Sequence, residues 1–219
     1  MIDFIKRINS SLHIAVAEDW MWEKPAQPEE EVYISRAVEK RKREFRAGRH
    51  CAHQVLTELG HSGATLKVGE HRQPLWPENI IGSISHTDRY CACVAMPKGD
   101  IISVGIDVEK SEPVDKSSLP LICTRREMSA IEEMQSSIDL PLCKLIFSAK
   151  ECVHKVYYPL NQHTLDFLDA EIQIDLEKSS FEAIIHNSEK SPKLPIKVLK
   201  GFFHYDSHYV YTIIMKELE

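Results

Sequence analysis

The sequence predicts an α+β protein made of two lobes of similar size. Each half of the 219 residues contains one or more helical patterns together with several strand-like segments. A polar stretch with two prolines at 110–120 separates the halves, so we expect lobes at 1–109 and 110–219. No clear sequence repeat relates the two halves.

The first half is predicted to place one long helix before a group of strands. Residues 1–33 look irregular, whereas apolar residues recur at helical spacing over 35–59. Ser35 can cap the start of this helix, and Gly60 can end it. Gly48 lies inside the helix at a cost of roughly 1 kcal/mol relative to alanine, which a close backbone approach would explain.

Strand-like segments fill the rest of the first half, and helices precede strands in the second. The predicted strands of the first half are 64–68, 82–85, 90–96 and 101–108, with a rigid proline loop at 73–77. The second half has predicted helices at 125–134 and 141–158 and predicted strands at 170–176, 181–186, 196–204 and 209–215.

Composition and charge argue against several classes of protein. The formal net charge of −6 is opposite to the basic surface typical of general nucleic-acid binding. The N-terminus lacks the pattern of a signal peptide, and no apolar run approaches the ~18 residues of a membrane helix. Six cysteines without a C-x-x-C pair indicate reduced thiols, so we expect a soluble cytoplasmic protein.

Two carboxylates follow an apolar strand-like segment. Asp107 and Glu109 alternate along the chain, so in a strand both side chains point to the same face. Carboxylates this close repel each other unless a proton or a cation lies between them, and Mg²⁺ prefers carboxylate, phosphate and water oxygens. The alternative is a strand whose polar end simply reaches solvent.

A second candidate segment is helical. Ser148, Glu151 and Lys155 share one helix face beside an apolar stripe. Together with Asp107 and Glu109, these side chains suit a magnesium-dependent enzyme that acts on phosphoryl groups. On its own, the spacing of Glu151 and Lys155 is also that of an ordinary surface ion pair.

Two further segments suit anions. In the long helix, Arg41 and Arg49 share a face and could hold one phosphate between them. Residues 82–87 offer hydroxyl groups, the His86 imidazole and backbone N–H groups for phosphate contacts. The alternatives are a solvated helix face and a structural histidine. The cations of the helix are Arg36, Lys40, Arg41, Lys42, Arg43, Arg46 and Arg49.

In this order, the segments resemble the 4′-phosphopantetheinyl transferase family, and more narrowly its siderophore-synthetase branch, the enterobactin synthetase component D type. The family pattern G-[I/V]-D-x-E matches 105–109, and [F/W]-[S/T]-x-K-E-x-x-x-K matches 147–155 at every motif position. The branch also favours a basic G-R-x-C-A helix, a P-x-W-P loop and a G-S-I-S-H-[T/S] segment, which match 40–52, 74–77 and 82–87.

The resemblance implies two pseudo-symmetric lobes, each a small, mostly antiparallel sheet packed with helices, and an active site in the cleft between them. It implies transfer of 4′-phosphopantetheine from coenzyme A to a serine of an apo carrier protein, with release of 3′,5′-ADP. The expected partners are peptidyl, aryl or acyl carriers of siderophore synthesis, or else of fatty-acid, polyketide or polyunsaturated-lipid synthesis. The enzyme is expected to be a monomer that contacts carriers near 117–137 and after Tyr158.

The same resemblance implies roles for individual residues. Asp107, Glu109 and Glu151 would hold Mg²⁺ on the diphosphate of coenzyme A. Glu151 would also be the general base for the serine, and Lys155 would stabilise charge on the leaving group. The nucleotide phosphates, including the 3′-phosphate, would contact Arg41, Arg49, Arg72, Ser85 and His86.

Two histidines depart from the branch pattern, and three alternatives stay open. His53 stands where the branch usually carries arginine, and His154 stands where an aromatic residue is frequent. A metal-dependent phosphohydrolase of coenzyme A or nucleotides, and a non-catalytic coenzyme A-binding module, are alternative functions. A zinc site from His50, His53 and Cys91 or Cys93 is the third, although it lacks the paired spacing of zinc motifs.

Overall fold

A computed structural model describes residues 1–186 and 192–218. The chain divides into two compact units, Met1–Ile102 and Ser103–Glu219. Each unit combines helices with an antiparallel sheet. This arrangement confirms the predicted α+β class with two lobes.

The first unit contains one long helix and a small antiparallel sheet. In chain order its elements are α1 (Ile2–Ile8), β1 (His13–Val16), α2 (Asp19–Glu23), α3 (Pro28–Glu31), α4 (Glu39–Glu58), β2 (Lys67–Val68), β3 (Pro74–Leu75), β4 (Ile80–Thr87) and β5 (Tyr90–Pro97). The sheet has the strand order β1–β5–β4, and a separate two-stranded sheet pairs β2 with β3.

Helix α4 lies at the centre of this unit. It packs against β5, β1 and β4, and buried thiols such as those of Cys51 and Cys93 belong to the core between helix and sheet. A β-carbon on Gly48 would lie 3.1 Å from Cγ2 of Ile84, which is closer than nearly all such contacts. The glycine therefore permits the close approach that its position inside a helix predicts.

The ends of α4 agree with the sequence in part. Gly60 follows the helix in the left-handed region with φ of 83°, as predicted for a terminating glycine. The helix begins at Glu39 and not at Ser35, because residues Val32–Ile34 form a 3₁₀ turn in which the Ser35 hydroxyl donates to the Val32 carbonyl at 3.0 Å. Residues 1–33 are not irregular throughout: they contain α1, β1, α2 and α3, which are too short to show a clear period.

The second unit packs a long helix on a five-stranded sheet. In chain order its elements are β6 (Ile101–Lys110), α5 (Leu119–Ile122), α6 (Arg125–Met134), α7 (Leu142–Asn161), β7 (Ala170–Asp175), β8 (Ser180–Ile185), β9 (Val198–Tyr205) and β10 (Tyr209–Glu217). The sheet has the strand order β6–β10–β9–β8–β7. Helices α6 and α7 and strands β7 to β10 match the predicted elements of the second half to within a few residues. The short helix α5 was not predicted, and β6 was predicted as a strand of the first half.

The compact units divide inside β6, near its start, whereas the sequence places the lobe boundary after residue 109. The physical reason is that β6 pairs with β10 and so belongs to the sheet of the second unit. Asp107 and Glu109 are therefore in the same unit as Glu151. The core of this unit lies between α7 and the sheet, and includes Leu145 and Phe203.

The cysteines are buried in the cores of the two units. All six lie within the described residues, and none of them forms a disulfide bond. The residues of the zinc alternative have other contacts: His50 Nε2 lies 3.0 Å from the Lys24 carbonyl oxygen, and His53 contacts Glu30. Within residues 1–186 and 192–218, no helix is long and apolar enough to span a bilayer.

Candidate active site

The glycine of the first motif brings β6 close to α7. A β-carbon on Gly105 would lie only 2.7 Å from the backbone oxygen of Cys152. The Cys152 thiol also donates a hydrogen bond of 3.0 Å to the Gly105 carbonyl. Only a residue without a side chain fits here, so this contact fixes the distance between the strand that carries Asp107 and the helix that carries Lys155.

Asp107 and Lys155 meet two residues further along the strand. The Lys155 ammonium donates to Oδ1 of Asp107 at 2.8 Å and to the Ile106 carbonyl at 3.0 Å. Its side chain remains 25% exposed, while that of Asp107 is 5% exposed. Burial lowers the pKa of Lys155, but the Asp107 carboxylate and, after it, Glu151 oppose this effect, and the pKa is raised above its usual value overall. Lys155 is therefore a cation at neutral pH.

The other two acids are electrostatically coupled to Asp107. Burial, and then the charge of Asp107, raise the pKa of Glu109 to about 7, although Lys144 and Lys155 oppose the shift. Burial and Asp107 also raise the pKa of Glu151, against the effect of Lys155. These shifts are those expected of carboxylates crowded into one partly buried place.

This set of donors suits magnesium in its chemistry. A hard divalent cation prefers oxygen ligands, and it would relieve the mutual repulsion of the three carboxylates. In the described part of the chain, however, no three Asp, Glu, His or Cys side chains are gathered closely enough to hold a metal ion. Two of the three carboxylates lie beside lysines: Asp107 contacts Lys155, and Oε2 of Glu109 lies 3.6 Å from Nζ of Lys144.

Lys144 is a site residue that sequence reasoning missed. It lies in the first turn of α7, and its ammonium is 5.4 Å from the centre of the Phe147 ring as well as 3.6 Å from Glu109. Its spacing from Glu151 along the helix, two turns, was the available signal. It brings a second cation to the carboxylates.

Lys150, a motif residue to which the sequence assigned no role, is buried. Its ammonium donates to the carbonyls of Ile122 and Phe167 at 2.7 and 2.9 Å, and to Oε2 of Glu127 at 2.7 Å. Glu127 in turn accepts from the backbone N–H groups of Thr124, at the start of α6, and of Ile172 on β7. This buried ion pair joins α7, α6 and β7 directly beside Glu151.

A pocket of about 280 Å³ adjoins Glu151. Leu165 and Phe167 form part of its apolar wall, and the His154 ring lines it as well. His154 is nearly parallel to the Tyr158 ring, with centroids 5.9 Å apart. The histidine thus occupies the wall of the pocket with a flat ring, as an aromatic residue would.

The predicted anion-binding residues of the first unit lie around a separate pocket. Arg41, Arg49, Arg72 and His86 all line this cavity of about 330 Å³. Nη1 of Arg41 lies 3.1 Å from Nε2 of His86, and Glu44 lies 3.9 Å from that arginine and 3.8 Å from that histidine. Ser85 is buried on β4 opposite Ala92 and is not among the lining residues.

Several other cations of α4 pair with acids outside this pocket. Arg46 donates to both oxygens of Glu31 at 2.9 and 2.8 Å. Arg43 lies 2.6 Å from Glu23. The charge of the cationic cluster on α4 is thus partly neutralised by these acids. Of the arginines of α4, Arg41 and Arg49 line the pocket.

Family models match both units. The model of the 4′-phosphopantetheinyl transferase N-terminal domain matches residues 29–96, and that of the 4′-phosphopantetheinyl transferase superfamily matches residues 103–214. The chain belongs to the 4′-phosphopantetheinyl transferase superfamily. It is therefore a transferase, and the family resemblance of the motifs is confirmed.

Individual relatives agree with this assignment. The chain is 34% identical over 158 residues to 4′-phosphopantetheinyl transferase Npt of Nocardia iowensis, and the matched region covers 72% of this chain and 70% of the relative. It is 29% identical to 4′-phosphopantetheinyl transferase PptT of Mycobacterium tuberculosis, over 86% of this chain and 85% of the relative. It is 32% identical to enterobactin synthase component D of Escherichia coli K12, over 72% of each chain. The narrower resemblance to the enterobactin branch is also confirmed.

Proposed function

We propose that this transferase moves 4′-phosphopantetheine from coenzyme A to a serine of an apo carrier protein and depends on Mg²⁺. The observation that carries the proposal is the coupled group of Asp107, Glu109 and Glu151 with Lys155 inside a transferase of this family. Phosphoryl transfer needs positioning and charge neutralisation more than covalent catalysis, and this group supplies both.

The bonds that form and break in the proposed reaction suggest a role for each acidic or basic side chain of the site. The serine oxygen attacks the phosphorus on the pantetheine side, the bond from that phosphorus to the bridging oxygen breaks, and 3′,5′-ADP leaves. Glu151 would take the serine proton as a general base, because an unaided serine hydroxyl is a poor nucleophile. Lys155 stays protonated and neutralises charge on the leaving group. Asp107, Glu109 and Glu151 would hold Mg²⁺, which would neutralise the diphosphate.

The arginine-lined pocket of the first unit is the proposed site for the nucleotide end of coenzyme A. Arg41, Arg49 and Arg72 offer charge-assisted hydrogen bonds to phosphate oxygens, and His86 adds an imidazole. Ser85 is also proposed as a phosphate contact, although its side chain is buried on β4 and is not among the residues that line the pocket.

The proposed partners are peptidyl or aryl carriers of a siderophore pathway. Relatives named enterobactin synthase component D support this choice, whereas the relatives Npt and PptT carry names without a pathway. Fatty-acid, polyketide or polyunsaturated-lipid carriers are the alternative partners for the same reaction. We further propose that the enzyme acts as a monomer in the cytoplasm, where its six thiols stay reduced.

The intact mass of apo carriers after incubation with coenzyme A and Mg²⁺ tests the proposal. The panel holds a siderophore peptidyl carrier, an aryl carrier and a fatty-acid acyl carrier. A mass gain of one phosphopantetheine that is lost with EDTA or with Glu151→Gln supports the proposal, and the relative rates rank the partners. Cleavage of coenzyme A without any carrier product would instead indicate a phosphohydrolase, and binding without turnover would indicate a binding module.

A further inference from the structure

Glu30 is a fully buried carboxylate near the anion pocket of the first unit. It lies in α3 with 0% of its surface exposed. Its oxygens accept hydrogen bonds from the backbone N–H groups of Leu66 at 2.9 Å and Gln27 at 3.3 Å. Nε2 of His53 lies 3.0 Å from each oxygen. A charge buried this deeply is costly unless several partners compensate it, so the position of Glu30 is closely defined.

Arg49 is the cation that connects Glu30 to the pocket. Its side chain is only 6% exposed, its Nε lies 3.7 Å from Oε1 of Glu30, and its guanidinium lies 4.3 Å from the centre of the Phe45 ring. Within the described residues, Nε of Arg49 makes no hydrogen bond. Burial lowers the pKa of Arg49 to about 10, and the charge of Glu30 is the largest influence that opposes this. The guanidinium is therefore held by one counter-charge and one ring.

We propose that Glu30 is a positioning residue for Arg49: its carboxylate holds the buried guanidinium against the Phe45 ring at the pocket wall, and so sets the affinity for the nucleotide end of coenzyme A. This inference rests on the proposed function and deepens it. Glu30 itself does not line the pocket, and Arg49 is the lining cation beside its carboxylate. His53, one turn after Arg49 on α4, holds both Glu30 oxygens, which explains the use of histidine there as an anchor of the carboxylate.

The neighbouring ion pair provides a matched control. Glu31 also lies in α3 and also pairs with an arginine of α4, since Arg46 donates to both of its oxygens. Arg46 does not line the pocket. Loss of either carboxylate removes one contact between α3 and α4, but only the arginine beside Glu30 lines the pocket.

The test compares Glu30→Gln with Glu31→Gln, each alone and combined with Arg49→Lys. Steady-state transfer gives kcat and KM for coenzyme A and for 3′-dephospho-coenzyme A, and calorimetry gives the Kd of 3′,5′-ADP. Thermal unfolding confirms that each variant is folded. Glu30→Gln should raise KM for coenzyme A and Kd for 3′,5′-ADP about tenfold, the effect of ~1.4 kcal/mol, while kcat changes little. Glu31→Gln should leave KM, Kd and kcat unchanged.

Coupling to Arg49 separates positioning from general stability. In the Arg49→Lys background, Glu30→Gln should have no further effect on KM or Kd, because the group it positions is absent. The proposal is overturned if Glu30→Gln leaves KM and Kd unchanged or lowers them, or if its effect persists in that background. If Glu30→Gln does not fold, His53→Gln takes its place in the same cycle with the same criteria.

Failure of the proposed function would look different. In that case the unaltered enzyme would transfer no phosphopantetheine or would not bind 3′,5′-ADP. If the enzyme transfers phosphopantetheine but Glu30→Gln leaves KM for coenzyme A unchanged, only the positioning role is refuted.

Discussion

The substitution Gly105→Ala tests whether the close contact between β6 and α7 positions the proposed catalytic residues on these two elements. The added β-carbon would lie 2.7 Å from the backbone oxygen of Cys152 and 2.8 Å from Cγ2 of Val156. Ordinary contact begins at 3.4 Å, so strand and helix must separate by up to about 0.7 Å. Helix backbone cannot yield as a flexible side chain can, so we expect a loss of about 1–3 kcal/mol in the free energy of unfolding.

The same displacement should reduce activity, because it acts on the 2.8 Å contact between Lys155 and Asp107. A misplacement of this size near reacting groups can cost up to about 10²-fold in rate. Denaturant unfolding measures the first effect, and the rate of carrier modification measures the second.

Gly99→Ala is the matched control for this prediction. A β-carbon on Gly99 would meet no atom within 4 Å, and this glycine does not have a positive φ. Its replacement should therefore be neutral or slightly stabilising, by up to about 1 kcal/mol. If Gly105→Ala behaved like Gly99→Ala in both assays, the inferred steric role of the motif glycine would be wrong.

Three further predictions concern single side chains. Glu151→Gln should reduce carrier modification by about 10²–10⁴-fold while the Kd for coenzyme A is kept; near-normal turnover would remove Glu151 as the base. Lys150→Met leaves Glu127 buried without its cation and should cost about 3–5 kcal/mol in denaturant unfolding, whereas Lys150→Met with Glu127→Leu should cost less. Burial raises the pKa of Glu30, but His53 and the Leu66 N–H group lower it, and overall the pKa lies below 4.5. The stability that Glu30 contributes should thus be present above pH 4.5 and be lost as the pH falls below it; a gap between wild type and Glu30→Gln that widens in acid would contradict this.

The sequence predicted long, regular elements well and short ones poorly. Helix α7 and the strands after it show clear periods, and they appear where those periods place them. Helices α1 to α3 are four to seven residues long, so their apolar residues cannot repeat often enough to reveal a helix. The start of α4 was misplaced because a serine that suits a helix cap instead closes a 3₁₀ turn.

The site residues show a similar division. Regular spacing placed Asp107 and Glu109 on one face of a strand, and Glu151 and Lys155 on one face of a helix. That the two segments approach each other was implied by the family resemblance, and in the structure the charge of Asp107 raises the pKa of Glu151 after burial does so. Long-range pairs left no such signal: Lys144 and Glu109, Glu127 and Lys150, and Glu30 and Arg49 are each joined only by the fold. The local spacing of Lys144 from Glu151 marks it as a neighbour of the site but does not reveal its partner Glu109. A buried counter-ion distant in sequence is invisible to any local pattern.

For the proposed function, the pairing of these charges would explain how an acidic chain binds the strongly anionic coenzyme A. With a formal net charge of −6, the general field of the protein repels coenzyme A. Attraction must then come from cations that are close to the phosphates and poorly screened by solvent, which describes a guanidinium as buried as that of Arg49. A cation buried this deeply is costly without a counter-charge, and Glu30 lies 3.7 Å from it. In the proposed function, the acidic residue beside Arg49 therefore supports anion binding and does not oppose it.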